Sequence, residues 1–240
     1  MLAGRHRHPA SDRSRAVWRA RLLPLAGLLA LAGCGGSSHP APPTTTAAAT
    51  ATARTNTSGC SVVPLPKLGA RSEPKPATTL APRMHYAVTF LTNCGSFTIA
   101  IDQAESPHAA ASFVSLARRG FFTETIFPRI AVGFVIQGGD PTGTGTGGPG
   151  YTTVDTPPAG ATYPHGVVAM AKTAAQAPGT AGSQFFVVTE PSAALPPDYA
   201  IIGSVTRGLD VVDRIGRLGN AEQQPTMVVE IERVTVKVSG

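Results

Sequence analysis

From residue 84 onward, apolar and polar positions fall into short blocks with a recognisable period; before it they do not. Runs 86–91 and 96–101 read as strands, separated by Thr92-Asn93-Cys94-Gly95, a hairpin signal with Asn and Gly in the turn. Ser106-Pro107 then predicts a helix start, with Ser106 as N-cap and proline at the first helical position. Ala110, Phe113, Val114 and Ala117 recur at helical spacing and give that helix one apolar face. Arg118 and Arg119 suit its negative C-terminal end as solvated surface charges, and Gly120 stops it. Segment 126–136 predicts a strand pair or a bent strand interrupted at Gly133. Segments 167–170, 185–189 and 200–205 predict further short strands. A second helix is predicted over 208–218, with Val211, Val212 and Ile215 on one face, and a final β run over 227–238. Many short strands with two separated helices predict a mainly β fold: a closed antiparallel β-barrel of about eight strands capped by two α-helices.

Upstream the pattern is different. Six arginines and one aspartate precede an apolar run at 22–32 that is too short to span a bilayer as a helix. The run ends in Leu31-Ala32-Gly33-Cys34, which resembles a bacterial lipobox. The expectation is a signal peptide over 1–33 and a lipid-modified Cys34 as the mature N-terminus. That anchors the chain to the outer face of the cytoplasmic membrane. Residues 35–54 are rich in Pro, Thr and Ala with nothing to bury, so 34–82 is expected to be a disordered tether followed by a Pro-rich lead-in over the domain surface. The folded domain is assigned to 83–240.

Composition narrows the function. The 240 residues carry 26 Gly, 22 Pro and only 14% charged side chains, as in a turn-rich β protein with a low-complexity tail. Of the formal net charge of +6, a net of +5 lies before Cys34 and only +1 in the rest, so no basic stripe remains for nucleic acid. With Cys34 assigned to lipid, Cys60 and Cys94 are left as a disulfide pair or as two free thiols in an oxidising compartment. His85, His108 and His165 are scattered without ligand spacing and read as surface residues, and no metal site is expected. The glycine-rich loop 142–150 lacks the Gly-Lys-Ser/Thr ending and the following helix of a phosphate-binding loop.

The candidate chemistry sits in Phe127-x-Arg129-Ile130, Gly133-Phe134-x-Ile136-Gln137-Gly138-Gly139-Asp140, Gly145-Thr146-Gly147-Gly148, Met170-Ala171 and Gly182-Ser183-Gln184-Phe185-Phe186. In this order and spacing the motifs resemble the cyclophilin family of peptidyl-prolyl isomerases, over roughly 84–238. The resemblance implies a cofactor-free isomerase acting on Xaa-Pro bonds of exported polypeptides, working as a monomer. By resemblance Arg129 is the catalytic donor to the prolyl nitrogen. Phe134, Val135, Phe186 and Leu195 match the proline socket, and Gln137 and Gln184 match substrate-contacting amides. Ala171 matches a small residue beside the substrate backbone. Strand alternation puts Phe185 and Phe186 on opposite faces, so only one faces the pocket, and the family match selects Phe186.

Four positions depart from the family, the mildest being Pro128, which stands where histidine is frequent and restricts Phe127 to extended geometry suited to a strand. Ala194 stands where many relatives have tryptophan, a position associated with cyclosporin binding, which implies weak binding of that cyclic peptide here. Tyr199 stands where many have histidine and keeps a polar tip on an aromatic body at the substrate site. Lys172 replaces a frequent asparagine, and either touches an acidic substrate or, the favoured reading, is solvated. The altered wall leaves one alternative function, a proline-binding module or holdase with little catalysis.

Overall fold

A computed structural model of the chain describes residues 58–240. The predicted signal peptide, Cys34 and the tether up to residue 57 lie outside the described residues.

Thirteen strands and two helices follow in order. They are β1 (His85–Thr92), β2 (Gly95–Ile101), α1 (Pro107–Arg118), β3 (Thr125–Ile126), β4 (Arg129–Ala131), β5 (Val135–Gly138), β6 (Thr153–Val154), β7 (Tyr163–Pro164), β8 (Val167–Met170), β9 (Thr180–Ala181), β10 (Phe185–Val188), β11 (Ser192–Ala193), β12 (Ile201–Arg207), α2 (Leu209–Gly216) and β13 (Glu230–Ser239). Nine strands form one antiparallel sheet in the order β3-β13-β1-β2-β12-β8-β10-β5-β4. The edge strands β3 and β4 are consecutive in sequence, so the chain at Phe127-Pro128 joins the two edges of the curled sheet. Two small pairs, β6 with β9 and β7 with β11, stand apart from it.

The predicted hairpin is β1–β2, with Val88 opposite Ile99 and Phe90 opposite Phe97. Alternation sends these four side chains inward, where all are buried. There they join a phenyl cluster. Phe90 stacks on Phe97 with centroids 5.2 Å apart, and Phe185 meets Phe113 of α1 edge-on at 5.3 Å. Burying such a ring contributes about 1.5–3 kcal/mol, so this cluster is the main reason that α1 seats on the sheet.

The start of α1 corrects the sequence reading. Proline does occupy the first turn, but Ser106 makes no side-chain cap. Its hydroxyl is buried without a partner. The free N–H of Ala109 instead donates to the Asp155 carboxylate at 2.6 Å, from 46 residues away. A negative charge at a helix N-terminus also opposes the macrodipole favourably. At the other end Gly120 takes the left-handed conformation (φ +73) and Phe121 N–H reaches back to Leu116 C=O at 3.0 Å, as the sequence predicts. Gly208, which caps α2, is also left-handed, and a Cβ there would collide with the Ser96 carbonyl.

Residues 58–83 contain no regular strand, yet they are fastened to the domain. A disulfide joins Cys60 to Cys94 at the β1–β2 turn. Beside it Ser61 N–H donates to Asn93 C=O at 2.8 Å, and Asn93 Nδ2 returns a bond to Ser61 C=O at 2.7 Å. The lead-in therefore runs as a pinned strap over the surface.

Candidate active site

β4 and β5 are joined by a tight turn at Gly133, whose positive φ (+69) suits glycine. Their register sets Arg129 opposite Gln137, and the next ladder sets Gln137 opposite Phe186 of β10. Three residues distant in sequence thus share one sheet face. Arg129 Nη1 donates to Gln137 Oε1 at 3.0 Å, and Gln137 Nε2 donates to Gln184 Oε1 at 3.0 Å. Gln184 Nε2 then donates to the carbonyls of Gly145 and Gly147 at 2.9 and 3.0 Å. The direction of this relay is dictated at its start. A guanidinium can only donate, so Gln137 must turn its oxygen to Arg129 and its nitrogen away. On its other side Arg129 Nε donates to Gln223 Oε1 at 2.8 Å. Among the described residues these bonds use two of the five N–H groups and fix the guanidinium plane, leaving the others for a ligand.

The far end of the relay rests on Asp140, which is fully buried. Its Oδ1 accepts from the N–H and hydroxyl of Thr142, both at 2.7 Å, and its Oδ2 from Gly145 N–H at 2.6 Å. Burial works against the ionised carboxylate, but the hydrogen bonds from Thr142, Gly147 and Gly145 outweigh it and hold the carboxyl below its ordinary value.

The opposite wall is aromatic. Phe134, Val135, Ala171, Phe186, Leu195 and Tyr199, with Arg129, Gln137 and Lys172, line a cavity of about 160 Å³. Phe185 is fully buried in the phenyl cluster while Phe186 faces this cavity, as alternation requires. Tyr199 stands edge-on to Phe186, centroids 5.4 Å apart at 87°. Its backbone is held from both sides by one hydroxyl. Tyr163 Oη donates to Tyr199 C=O and accepts from Tyr199 N–H, each at 3.0 Å. Burial is the first cause that pushes the Tyr163 hydroxyl pKa above its usual value. Ala194 is exposed and does not line the cavity.

Lys172 departs from expectation. The favoured reading had it solvated, but only 5% of its side chain is exposed. Its ammonium lies 5.5 Å above the Tyr199 ring, 3.6 Å from the Asp198 carboxylate and 3.2 Å from Gln176 C=O. The loop after Lys172 folds back on the lysine and supplies that carbonyl. The charge is thereby consumed within the wall. A second groove of about 740 Å³ adjoins the cavity through Gln137, Ala171 and Lys172 and continues along the 145–152 loop.

The structure thus brings together every residue named for the substrate site, with Gln184 reaching it through Gln137. It adds Gln223, Tyr163 and Asp198, which sequence reasoning missed. Gln223 has left-handed backbone (φ +62), unusual for a glutamine and invisible in sequence. Tyr163 carried a weak signal, as a lone tyrosine in a Pro- and Gly-rich stretch whose hydroxyl needs a partner once buried. The histidines stay at the surface. His108 lies 2.7 Å from Asp155, and His165 lies 2.7 Å from Asp213. Among the described residues no group of three His, Cys, Asp or Glu side chains could hold a metal.

The family model for the cyclophilin type peptidyl-prolyl cis-trans isomerase/CLD matches residues 87–236, a span containing every site residue above. The chain belongs to this family. It is a cyclophilin-type peptidyl-prolyl cis-trans isomerase. Peptidyl-prolyl cis-trans isomerase-like 1 of Aspergillus oryzae is 37% identical over 155 residues, covering 64% of this chain and 96% of that one. A probable peptidyl-prolyl cis-trans isomerase B of Mycobacterium tuberculosis is 35% identical over 180 residues, covering 68% of this chain and 57% of that one. The crystal structure of a Cryptosporidium parvum cyclophilin type isomerase superposes with a TM-score of 0.59 at 30% identity, covering 65% of this chain and 99% of that one. The curled sheet with two helices is therefore the family fold, and the strap at 58–83 precedes the matched span.

Proposed function

We propose that this isomerase acts on Xaa-Pro bonds of exported polypeptides outside the cytoplasmic membrane, with Arg129 as the catalytic donor. Rotation about the amide meets a barrier of about 18–20 kcal/mol because the nitrogen lone pair is conjugated with the carbonyl. Uncatalysed exchange takes tens to hundreds of seconds. As the bond twists, conjugation is lost and the lone pair localises on nitrogen. A guanidinium N–H directed at that nitrogen stabilises the twisted form more than either planar form, which is the condition for catalysis. Rotation makes and breaks no covalent bond, so the chemistry asks for neither nucleophile nor metal.

The observation that carries this reading is the pose of Arg129, held between Gln137 and Gln223 at the rim of an apolar cavity. Phe134, Val135, Phe186 and Leu195 receive the proline ring. Ala171 leaves room for the substrate backbone, and Tyr199 closes the socket. Gln137 and Gln184 orient Arg129 and contact the substrate carbonyl. A Cryptosporidium parvum relative crystallised in the presence of the dipeptide Ala-Pro supports a substrate of this class.

Three features support the location: the arginine-rich start with its apolar run, the lipobox-like segment ending at Cys34, and the Cys60–Cys94 disulfide, a bond that persists in oxidising compartments. The proposed mature protein is a lipid-anchored monomer. Exchange spectroscopy on an Ala-Pro peptide tests the mechanism. Arg129→Ala should keep the fold and lose about 100-fold or more in turnover; full turnover would refute the donor role. The mass of the mature N-terminus tests the anchor, since an unmodified Cys34 thiol is incompatible with it.

A further inference from the structure

The strap crosses the active-site loop. Gly69 N–H donates to Pro141 C=O at 2.9 Å and Glu73 N–H to Pro149 C=O at 3.0 Å. Lys75 Nζ donates to Thr152 C=O at 2.9 Å. Just before the first tie, Leu68 seats on Gly143, where an added Cβ would lie 2.7 Å from Leu68 Cδ1. The strap is itself fixed to the body of the domain. Arg71 Nη1 donates to the carbonyls of Phe121 and Thr123 at 2.6 and 2.8 Å, and the disulfide locks its start.

The loop so gripped, 141–152, contains five glycines. Such a segment has many accessible backbone conformations, and restricting it to one costs entropy. Asp140 restrains it from inside the fold, and the strap from outside. Between the two grips lie the Gly145 and Gly147 carbonyls that accept from Gln184. Gln184 orients Gln137, which orients Arg129. The family match begins at residue 87, so this outer grip is not supplied by the matched domain.

We propose that segment 68–75 is a positioning clamp for the isomerase site. It holds loop 141–152 in the one shape that aligns the glutamine relay, so the rate of isomerisation depends on residues outside the matched domain. The inference rests on Arg129 being the donor. It makes Arg71 a positioning residue that acts through the loop.

The test uses the full chain at low temperature, far from unfolding. Arg71→Ala should speed amide hydrogen exchange at Gly69 and Glu73 and shift the side-chain amide resonances of Gln184. Its kcat should fall about tenfold, as expected for a misplaced catalytic group, with KM changing less than about threefold. Arg71→Lys should restore part of the loss. Gly69→Pro/Arg71→Ala/Glu73→Pro removes the Gly69, Arg71 and Glu73 hydrogen bonds, leaves only that of Lys75 to the loop, and should lose at least as much. Lower thermal stability with unchanged kcat in the triple variant would overturn the clamp, leaving the strap merely structural. Arg129→Ala measured alongside separates the two claims. If it keeps full turnover, the donor reading fails; if it loses turnover while the triple variant does not, only the clamp fails.

Discussion

The donor wall and the aromatic wall of the pocket are held in place by opposite means. On the donor side a single file of hydrogen bonds runs from Arg129 through Gln137 and Gln184 to two glycine carbonyls. Each member has one assignment, and the guanidinium fixes the direction of every bond. On the aromatic side Tyr199 is supported several times over. Tyr163 holds its backbone at both polar atoms, Phe186 meets its ring edge-on, and Lys172 lies over its face. A serial arrangement fails when one link is removed, whereas a redundant one absorbs a substitution. The contrast explains how the chain keeps the donor set yet carries Tyr199 at a position where the family resemblance implies histidine.

Among the residues that support Arg129 and Tyr199, breaking the file at its second link should have the largest effect. Gln137→Ala leaves Arg129 and Gln184 without their shared partner, and turnover should fall by about ten- to a hundredfold while thermal stability changes little. Steady-state exchange rates and a melting curve check both halves. Next comes the far anchor. Asp140→Asn puts an amide N–H against a backbone donor, and should cost about 1–3 kcal/mol of stability with a parallel loss of turnover. The wild-type pH dependence follows from the same carboxylate. Its folded pKa lies below the ordinary value near 3.8, so the stabilisation is complete above about pH 4 and is lost as pH falls through the depressed pKa. Denaturant titrations between neutral and acidic pH should show that acid limb flattened in Asp140→Asn.

On the aromatic side the expected effects shrink. Tyr163→Phe removes both bonds to the Tyr199 backbone and should destabilise by about 1–3 kcal/mol, with turnover following only weakly. Lys172→Met should be smallest, changing turnover by less than about threefold, since the Tyr163 bonds and the Phe186 ring still hold Tyr199 when the cation–π contact is lost. A loss as large as that of Gln137→Ala in either variant would remove the distinction between the two walls.

What the sequence revealed follows the same division. The β1–β2 hairpin, α1 and β8 were legible because short-range period and turn chemistry encode them, whereas Arg129, Gln137 and Phe186 were legible only through the resemblance of their motifs to the family. The strand register then brings them together. The failures all involve partners distant along the chain. Asp155 replaces Ser106 as the cap of α1 from 46 residues away, and Gln223 reaches Arg129 across 94. Lys172 reads as solvated in sequence because a lone lysine carries no sign there of the partners it will meet. It is buried because Tyr199 and Asp198, far along the chain, fold over it. The Pro-rich lead-in showed no period; the Cys60–Cys94 disulfide that attaches it was one of two alternatives the cysteines left open, and the backbone carbonyls it meets are not disclosed by composition.

The central claim is that Arg129 acts on the twisted amide and not on the bound planar one. Ground-state affinity and turnover measured on one Ala-Pro peptide, for wild type and Arg129→Ala, test it most directly. The account predicts a dissociation constant within about threefold of wild type and turnover lower by about 100-fold or more. Affinity falling in step with turnover would make Arg129 a binding residue, and unchanged turnover would remove it from the mechanism.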